Sequence, residues 1–101
     1  MFYVLSVPGA VEEVEEVRVL EWHGQAGQAF APGELVVELE THKALVEVRA
    51  GQAGVLRRVL TQEGDWQAVG QPLALLSDAA DEPEPAATDD LSMLEVSFEV
   101  S

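Results

Sequence analysis

The chain has 101 residues, no cysteine and a formal net charge of −14. This length allows one small domain with one modest core, and the lack of cysteine excludes disulfides, cysteine-ligated zinc and thiol catalysis. A surface this acidic repels nucleic acid and anionic membranes, so we expect neither as a partner. Because 48% of the residues are hydrophobic, the composition favours a folded core over disorder.

The amino-terminal stretch MFYVLSVPGAV has no basic leading segment and no long apolar run. It therefore predicts neither a signal peptide nor a membrane-spanning segment, and we expect a cytoplasmic protein.

Six short runs, each rich in valine and leucine and bounded by glycine, proline or polar residues, predict β-strands. They are FYVLSV (2–7), VRVLEW (17–22), LVVELE (35–40), ALVEVR (44–49), VLRRVL (55–60) and PLALLS (72–77). The acidic stretch VEEVEEV (11–17) predicts an exposed loop that leads into the second strand. Many short strands at regular spacing are typical of a sandwich or a flattened barrel.

An internal repeat relates the two halves of this region. The stretch GQAFAPGELVVEL (27–39) aligns with GDWQAVGQPLALL (64–76), so that Gly27 falls on Gly64 and Gly33 falls on Gly70. Glycines at matched positions suit turns that need a positive φ. The repeat predicts two similar sheets related by a pseudo-twofold axis.

The stretch ELETHKALVEV (38–48) contains the only lysine of the chain, Lys43. A two-residue turn at His42 and Lys43 gives a hairpin with an apolar face of Leu35, Val37, Leu39, Val46 and Val48, and a solvent face of Val36, Glu38, Glu40, Leu45, Glu47 and Arg49. A slip of one residue would move valines into water, which favours this register. Lys43 then projects from the hairpin apex. The turn type stays open, because tight hairpin turns often need a positive φ that lysine disfavours.

Two interpretations of Lys43 follow. In the first, Lys43 is an ordinary surface residue, as most lysines in turns are. In the second, it is the acceptor of a modification, because a sole lysine offers a modifying enzyme a single target. Nearby carboxylates favour the charged ammonium, so another protein would have to activate this lysine for any chemistry.

Residues 2–77 resemble the lipoyl domain of 2-oxo acid dehydrogenase complexes. The acceptor motif of that family is Glu-Thr/Ser-Asp-Lys-Ala, and this chain has, in order, Glu40, Thr41, His42, Lys43 and Ala44. The pair Val7-Pro8 and Trp22 also hold the family spacing, as do Gly27, Gly33, Gly54, Gly64-Asp65 and Gln71-Pro72-Leu73.

The resemblance implies an all-β domain over residues 1–77, built as a flattened barrel of two four-stranded antiparallel sheets. It implies that Lys43 carries lipoic acid as a swinging arm, attached in amide linkage by a lipoate ligase or octanoyl transferase. The implied partners are the thiamine-diphosphate decarboxylase, the acyltransferase and the flavin dihydrolipoyl dehydrogenase of a 2-oxo acid dehydrogenase complex. In such a complex the domain is a substrate and not an enzyme.

The chain departs from the family pattern at the acceptor motif and in one loop. His42 stands where the family has aspartate, and Val11 and Glu13 stand where the loop that helps choose the decarboxylase carries glycines. Biotin carriers share the fold but present Met-Lys-Met at the tip, and glycine-cleavage carriers are longer chains with extra helices. An unmodified module of this fold is the remaining alternative.

No catalytic residue and no metal site is expected from the sequence. His23, which follows Trp22, is interpreted as a surface histidine, and His42 as a turn residue. The glutamates at 12, 13, 15 and 16 lack the glycine and the Asp/Asn spacing of a calcium loop, so they favour a solvated acidic face. Trp22 and Phe30 are expected in the core, and Trp66 partly exposed.

The carboxyl-terminal part has a different composition. DAADEPEPAATDD (78–90) predicts an extended, solvated linker. In residues 91–101 the apolar residues Leu94, Val96, Phe98 and Val100 alternate with polar ones, which predicts a strand with one apolar face. A lone strand is not stable in water. We favour its pairing with a partner or a second copy over folding back, because the family's barrel is complete without it.

Overall fold

The computed structural model describes residues 1–83 and 91–100 and contains ten β-strands. These are β1 (Phe2–Ser6), β2 (Glu16–Trp22), β3 (Ala29–Phe30), β4 (Leu35–Glu40), β5 (Leu45–Ala50), β6 (Gly54–Val59), β7 (Trp66–Ala68), β8 (Pro72–Ser77), β9 (Ser92–Met93) and β10 (Val96–Val100). The described residues contain no helix, and hence none that would cross a bilayer. All six predicted strands are present. β3 and β7 escaped prediction because two or three residues are too few to show an alternation.

The strands form two five-stranded sheets, with the orders β3-β6-β8-β1-β9 and β10-β5-β4-β2-β7. The first eight strands make the two four-stranded antiparallel sheets that were predicted. Each sheet then gains a fifth strand from the carboxyl-terminal segment, β9 parallel to β1 and β10 antiparallel to β5.

A single hydrophobic core contains side chains of both sheets. The largest fully buried aliphatic residues are Leu5, Leu56, Leu73 and Leu76 in one sheet and Val19, Val36, Val37, Leu39, Val46 and Val48 in the other. Complete burial of a valine or leucine side chain contributes about 1.5–3 kcal/mol each. This core therefore fixes the orientation of the strands that contribute these side chains.

The predicted repeat is confirmed by reciprocal hydrogen bonds between the two halves. Gly27 N–H donates to the carbonyl of Leu56 at 2.7 Å, and Gly64 N–H donates to that of Val19 at 2.8 Å. Both members of the second bond are displaced by the same number of residues from the first (64 − 27 = 37 and 56 − 19 = 37). Each half thus satisfies a turn of the other.

The matched glycines adopt the backbone conformation that the repeat predicted. Gly27, Gly33, Gly64 and Gly70 have φ values of 96°, 91°, 90° and 89°. A side chain at such φ values is sterically disfavoured, which explains why the same two positions carry glycine in each half.

Leu35 and Val36 do not follow the predicted faces of the hairpin. Val36, expected in solvent, is completely buried, whereas Leu35, expected in the core, is only half-buried. The pairing shifts here, because Leu35 lies opposite Arg49 while Val37 lies opposite Val48. This β-bulge turns two consecutive valines inward, which strict alternation does not foresee.

Residues 78–83, the start of the predicted linker, lie against the barrel. The Asp78 N–H donates to the carbonyl of Met1 at 3.1 Å. The Glu82 carboxylate accepts a hydrogen bond from the Met1 amino group and thereby raises the pKa of that amino group. Residues 84–90 lie outside the described residues, and their extended conformation stays a prediction.

The carboxyl-terminal segment folds back onto the barrel, so the expectation that it pairs with a partner or a second copy was wrong. β9 and β10 occupy the outer edges of β1 and β5, which would otherwise expose unpaired backbone groups. Leu94, between the two strands, is only 4% exposed, and its N–H donates to the carbonyl of Val4 at 2.8 Å. Phe98 lies opposite Val48, so the predicted apolar face is on the core side of the sheet, but Phe98 and Val100 stay 44% and 46% exposed.

We expect Gly51 to be required for the docking of β10. Its N–H donates to the carbonyl of Glu95 at 2.7 Å, and a Cβ at this position would lie 2.9 Å from both the carbonyl carbon and the oxygen of Glu95. Because an alanine Cβ and the backbone of Glu95 cannot occupy the same space, Gly51→Ala should displace β10 and leave the barrel folded. Amide hydrogen exchange in residues 96–100 should then become fast.

Gly9→Ala is the matched control, since its added Cβ would meet only Val69 Cγ1 at an ordinary 3.7 Å. In the wild-type chain, protection of β10 should not depend on protein concentration. Unchanged protection in Gly51→Ala, or protection that grows with concentration, would contradict the folded-back arrangement.

Candidate functional site

The β4–β5 hairpin has the predicted register near its tip. The four residues from Val37 to Glu40 lie opposite Val48, Glu47, Val46 and Leu45, in that order, which is the register of a two-residue turn at His42 and Lys43. Thr41 N–H donates to the carbonyl of Ala44 at 2.8 Å, which closes a two-residue turn. Lys43 is the second residue of that turn, so it lies at the apex.

The hydroxyl of Thr41 holds the turn together. Its Oγ1 accepts hydrogen bonds from the N–H groups of Lys43 at 3.1 Å and Ala44 at 2.8 Å, and donates to the carbonyl of Ala44 at 2.9 Å. Neither His42 nor Lys43 has a positive φ, because Glu13 is the only non-glycine residue with one among the described residues. The tip is therefore a threonine-stabilised turn that lysine adopts without backbone strain.

The Lys43 side chain is accessible and weakly held. It is 43% exposed, and its Nζ lies 3.2 Å from Oε2 of Glu13, whose own side chain is 85% exposed. Exposed ion pairs of this kind contribute about 0–1 kcal/mol. The amine is thus oriented by Glu13 but is released at little cost.

The loop between β1 and β2 places Glu13 beside the tip. Glu13 has a φ of 65°, the left-handed region that favours glycine. Val14 and Val17, which flank Glu15 and Glu16, are buried, at 8% and 3% exposure. The predicted exposed loop is therefore exposed only at its glutamates, and its valines fasten it to the core.

An open acidic cleft adjoins the tip. Its lining residues are Glu13, Glu15, Glu16, His42 and Trp66. Trp66 is 54% exposed, as expected, but its position beside the tip was not predicted. That position depends on the pairing of β7 with β2, and the short β7 gave no sequence signal.

The other residues of the predicted motif lie together at the same tip. Glu40 forms an ion pair with Arg18 at 3.5 Å, and Ala44 is half-buried behind the turn. His42 is exposed. The structure therefore brings residues 40–44 together on one surface, with Lys43 at its apex.

The remaining polar and aromatic candidates lie elsewhere. Phe30 is in the core, and Trp22 is half-buried with its Nε1–H donating to the carbonyl of Thr61 at 3.0 Å. His23 is half-buried on the outer face, with Nε2 2.6 Å from Oε1 of Glu38. This carboxylate partner was not predicted, because only the pairing of β2 with β4 brings it close to His23.

Known proteins resemble this chain over the barrel. The family model described as "Biotin-requiring enzyme", for biotin and lipoyl attachment, matches residues 4–76. The strands β9 and β10 lie beyond the matched residues.

Relatives in sequence are components of large complexes. The dihydrolipoyllysine-residue succinyltransferase component of the 2-oxoglutarate dehydrogenase complex of Staphylococcus saprophyticus is 41% identical over 76 residues, which is 75% of this chain and 18% of that protein. The same component from Bacillus subtilis is 37% identical over 86 residues, 84% of this chain and 21% of that protein. The chain thus spans about a fifth of the length of these relatives.

A solved structure resembles the fold. The lipoyl domain of the 2-oxoglutarate dehydrogenase complex from Azotobacter vinelandii superposes with a TM-score of 0.65 at 32% identity. The match covers 75% of this chain and 96% of that domain.

We predict that the Thr41 hydroxyl controls the rigidity of the tip. Thr41→Val keeps the shape of the side chain but leaves the N–H groups of Lys43 and Ala44 without their acceptor, so it should lower the free energy of unfolding by about 1–3 kcal/mol. Amide exchange at these two positions should accelerate. Thr41→Ser keeps the hydroxyl and should preserve their protection. Equal exchange in the valine and serine variants would show that the hydroxyl does not hold the turn.

Proposed function

The chain belongs to the biotinyl/lipoyl attachment family, and we propose that it acts as a lipoyl carrier domain with lipoic acid attached to Lys43. The match to residues 4–76 and the likeness to a solved lipoyl domain support this function. The observation that carries the choice of residue is the placement of the only lysine at the apex of a hairpin.

The residues at the tip fit an amide-linked arm. Lys43 Nζ is accessible to a lipoate ligase or octanoyl transferase, since its ion-pair partner in the described part of the chain is the exposed carboxylate of Glu13. The backbone of the tip is held by Thr41, so the arm would extend from a fixed point. Amide formation removes the positive charge of Lys43 and therefore also ends its ion pair with Glu13.

Attached lipoic acid supplies a dithiolane that carries acyl groups and electrons between enzymes. The chain's own contribution is to present and steer this group. The cleft lined by Glu13, Glu15 and Glu16 makes the surface around the tip strongly negative, and such a surface attracts partners with basic surfaces. We propose the decarboxylase, acyltransferase and dihydrolipoyl dehydrogenase components of a 2-oxo acid dehydrogenase complex as these partners.

In this role the domain is a substrate of other enzymes and not a catalyst. The Lys43 side chain is 43% exposed, and its amine is paired with an exposed carboxylate. A cytoplasmic location is part of the same proposal.

We predict that Lys43 accepts one lipoyl group. After expression with lipoate and a competent ligase, the intact mass of the wild-type chain should rise by one lipoyl group. Lys43→Arg keeps the positive charge at the tip but cannot form this amide, so its mass should not change. Intact-mass spectrometry provides the measurement.

The same measurement separates the alternative functions. A mass gain of one biotinyl group with a biotin ligase, and none with lipoate, would identify a biotin carrier. A chain that stays unmodified with competent lipoate ligase and octanoyl transferase would contradict the carrier function.

A second prediction concerns His42, which is exposed and stands where the family has aspartate. His42→Asp should leave the fold unchanged, because neither central residue of the turn has a positive φ and the side chain is not packed. The rate of lipoylation should be equal or higher. A large loss of lipoylation in a folded variant would show that the modifying enzyme recognises the histidine.

A further inference from the structure

The outer face of the second sheet carries a row of directly opposed glutamates. Glu21 lies opposite Glu38, Glu38 opposite Glu47, and Glu47 opposite Glu99. Like charges in directly opposed positions destabilise a sheet. The arrangement recurs across four adjacent strands, so a cation near these carboxylates would reduce their repulsion.

The row is compensated unevenly. Glu47 forms an ion pair with Arg49, whose Nη2 lies 3.6 Å from Oε1 of Glu47. Glu21 and Glu38 instead share His23, whose Nε2 lies 3.9 Å from Oε2 of Glu21 and 2.6 Å from Oε1 of Glu38. Among residues 1–83 and 91–100, these three side chains place one donor atom each within 4.8 Å of one another.

The strands hold these three residues on one face. Glu21 and His23 are two positions apart, which puts their side chains on the same face of the sheet. His23 N–H donates to the carbonyl of Val36 at 2.9 Å, so the residue after β2 keeps the pairing with β4. Because Glu38 is directly opposite Glu21, its carboxylate completes the group from the neighbouring strand.

We propose that Glu21, His23 and Glu38 form a binding site for a divalent transition-metal ion of the zinc class. Zinc binds imidazole nitrogen and carboxylate oxygen at about 2.0–2.2 Å, which places its donor atoms about 3.4 Å apart in tetrahedral geometry. The two distances from Nε2, 2.6 Å and 3.9 Å, lie on either side of this value, so binding would require the glutamate side chains to rotate.

The donor set defines the class of ion. Calcium and magnesium prefer oxygen ligands only, whereas an imidazole with two carboxylates suits zinc and neighbouring first-row ions. The ion would take the position of the proton that now bridges His23 and Glu38. The site lies on the sheet face and does not depend on the modification of Lys43.

The test uses the full chain in the Lys43→Arg form, free of affinity tags, so that no attached dithiol binds metal. Zinc titrated by calorimetry should bind at one saturable site. Glu21→Gln and His23→Asn should each weaken this binding about tenfold or more. Zinc should also raise the melting temperature of the parent chain but not of these variants.

Matched controls lie on the same molecule. Glu47→Gln makes the same charge change on β5, one strand beyond Glu38, and His42→Asn removes the other histidine. Neither should change zinc affinity by more than a small factor. In the parent chain the ring nitrogens of His23, and not those of His42, should shift in NMR spectra on zinc addition, which tests the site without a variant that might unfold.

Three outcomes would overturn the proposal. They are the absence of saturable zinc binding, equal weakening by Glu21→Gln and Glu47→Gln, or NMR shifts at His42 in place of His23. The second outcome would mean that the acidic surface attracts cations diffusely.

Discussion

The pairing of β4 with β5 is the constraint on which the other features of this domain depend. Its register turns the side chains of Leu39, Val46 and Val48 into the core, and a slip of one residue would expose them to water. The same register puts Lys43 at the apex and leaves the outer edge of β5 open for β10. One apolar preference thus determines the position of the lysine, the face on which the glutamates align and the attachment of the carboxyl-terminal strand.

The sequence predicts those features that depend on local patterns. The hairpin register follows from the alternation around Lys43, and the conformation of the turns follows from glycines matched between the halves. The bulge at Val36 could not be predicted, because alternation assumes an uninterrupted pleat. The docking of β10 escaped prediction for a different reason: an apolar strand gains similarly from any free edge, and sequence alone does not show which edge is near. The proximity of Trp66 to the tip, and of His23 to Glu38, likewise arises from pairing between distant strands.

Charge and burial are separated between the two faces of the second sheet. The inner face is almost wholly aliphatic, and the outer face has carboxylates at directly opposed positions. The stabilisation from inner side chains, about 1.5–3 kcal/mol for each fully buried valine or leucine, exceeds the repulsion of about 0.2–1 kcal/mol for an opposed like-charged pair. The core can therefore sustain an outer surface on which carboxylates lie directly opposite one another.

The reciprocal bonds of Gly27 and Gly64 have a consequence for how the chain folds. Each half donates a turn amide to a carbonyl of the other half, and β1 finds its antiparallel partner only in β8. During synthesis the first strand must therefore wait until Ser77 has left the ribosome before its antiparallel pairing with β8 is complete. Closing such long loops before the contacts that reward them makes folding slow compared with a helical domain of this size. A chain divided between the two repeats would give fragments that are unstructured alone and become ordered only by associating.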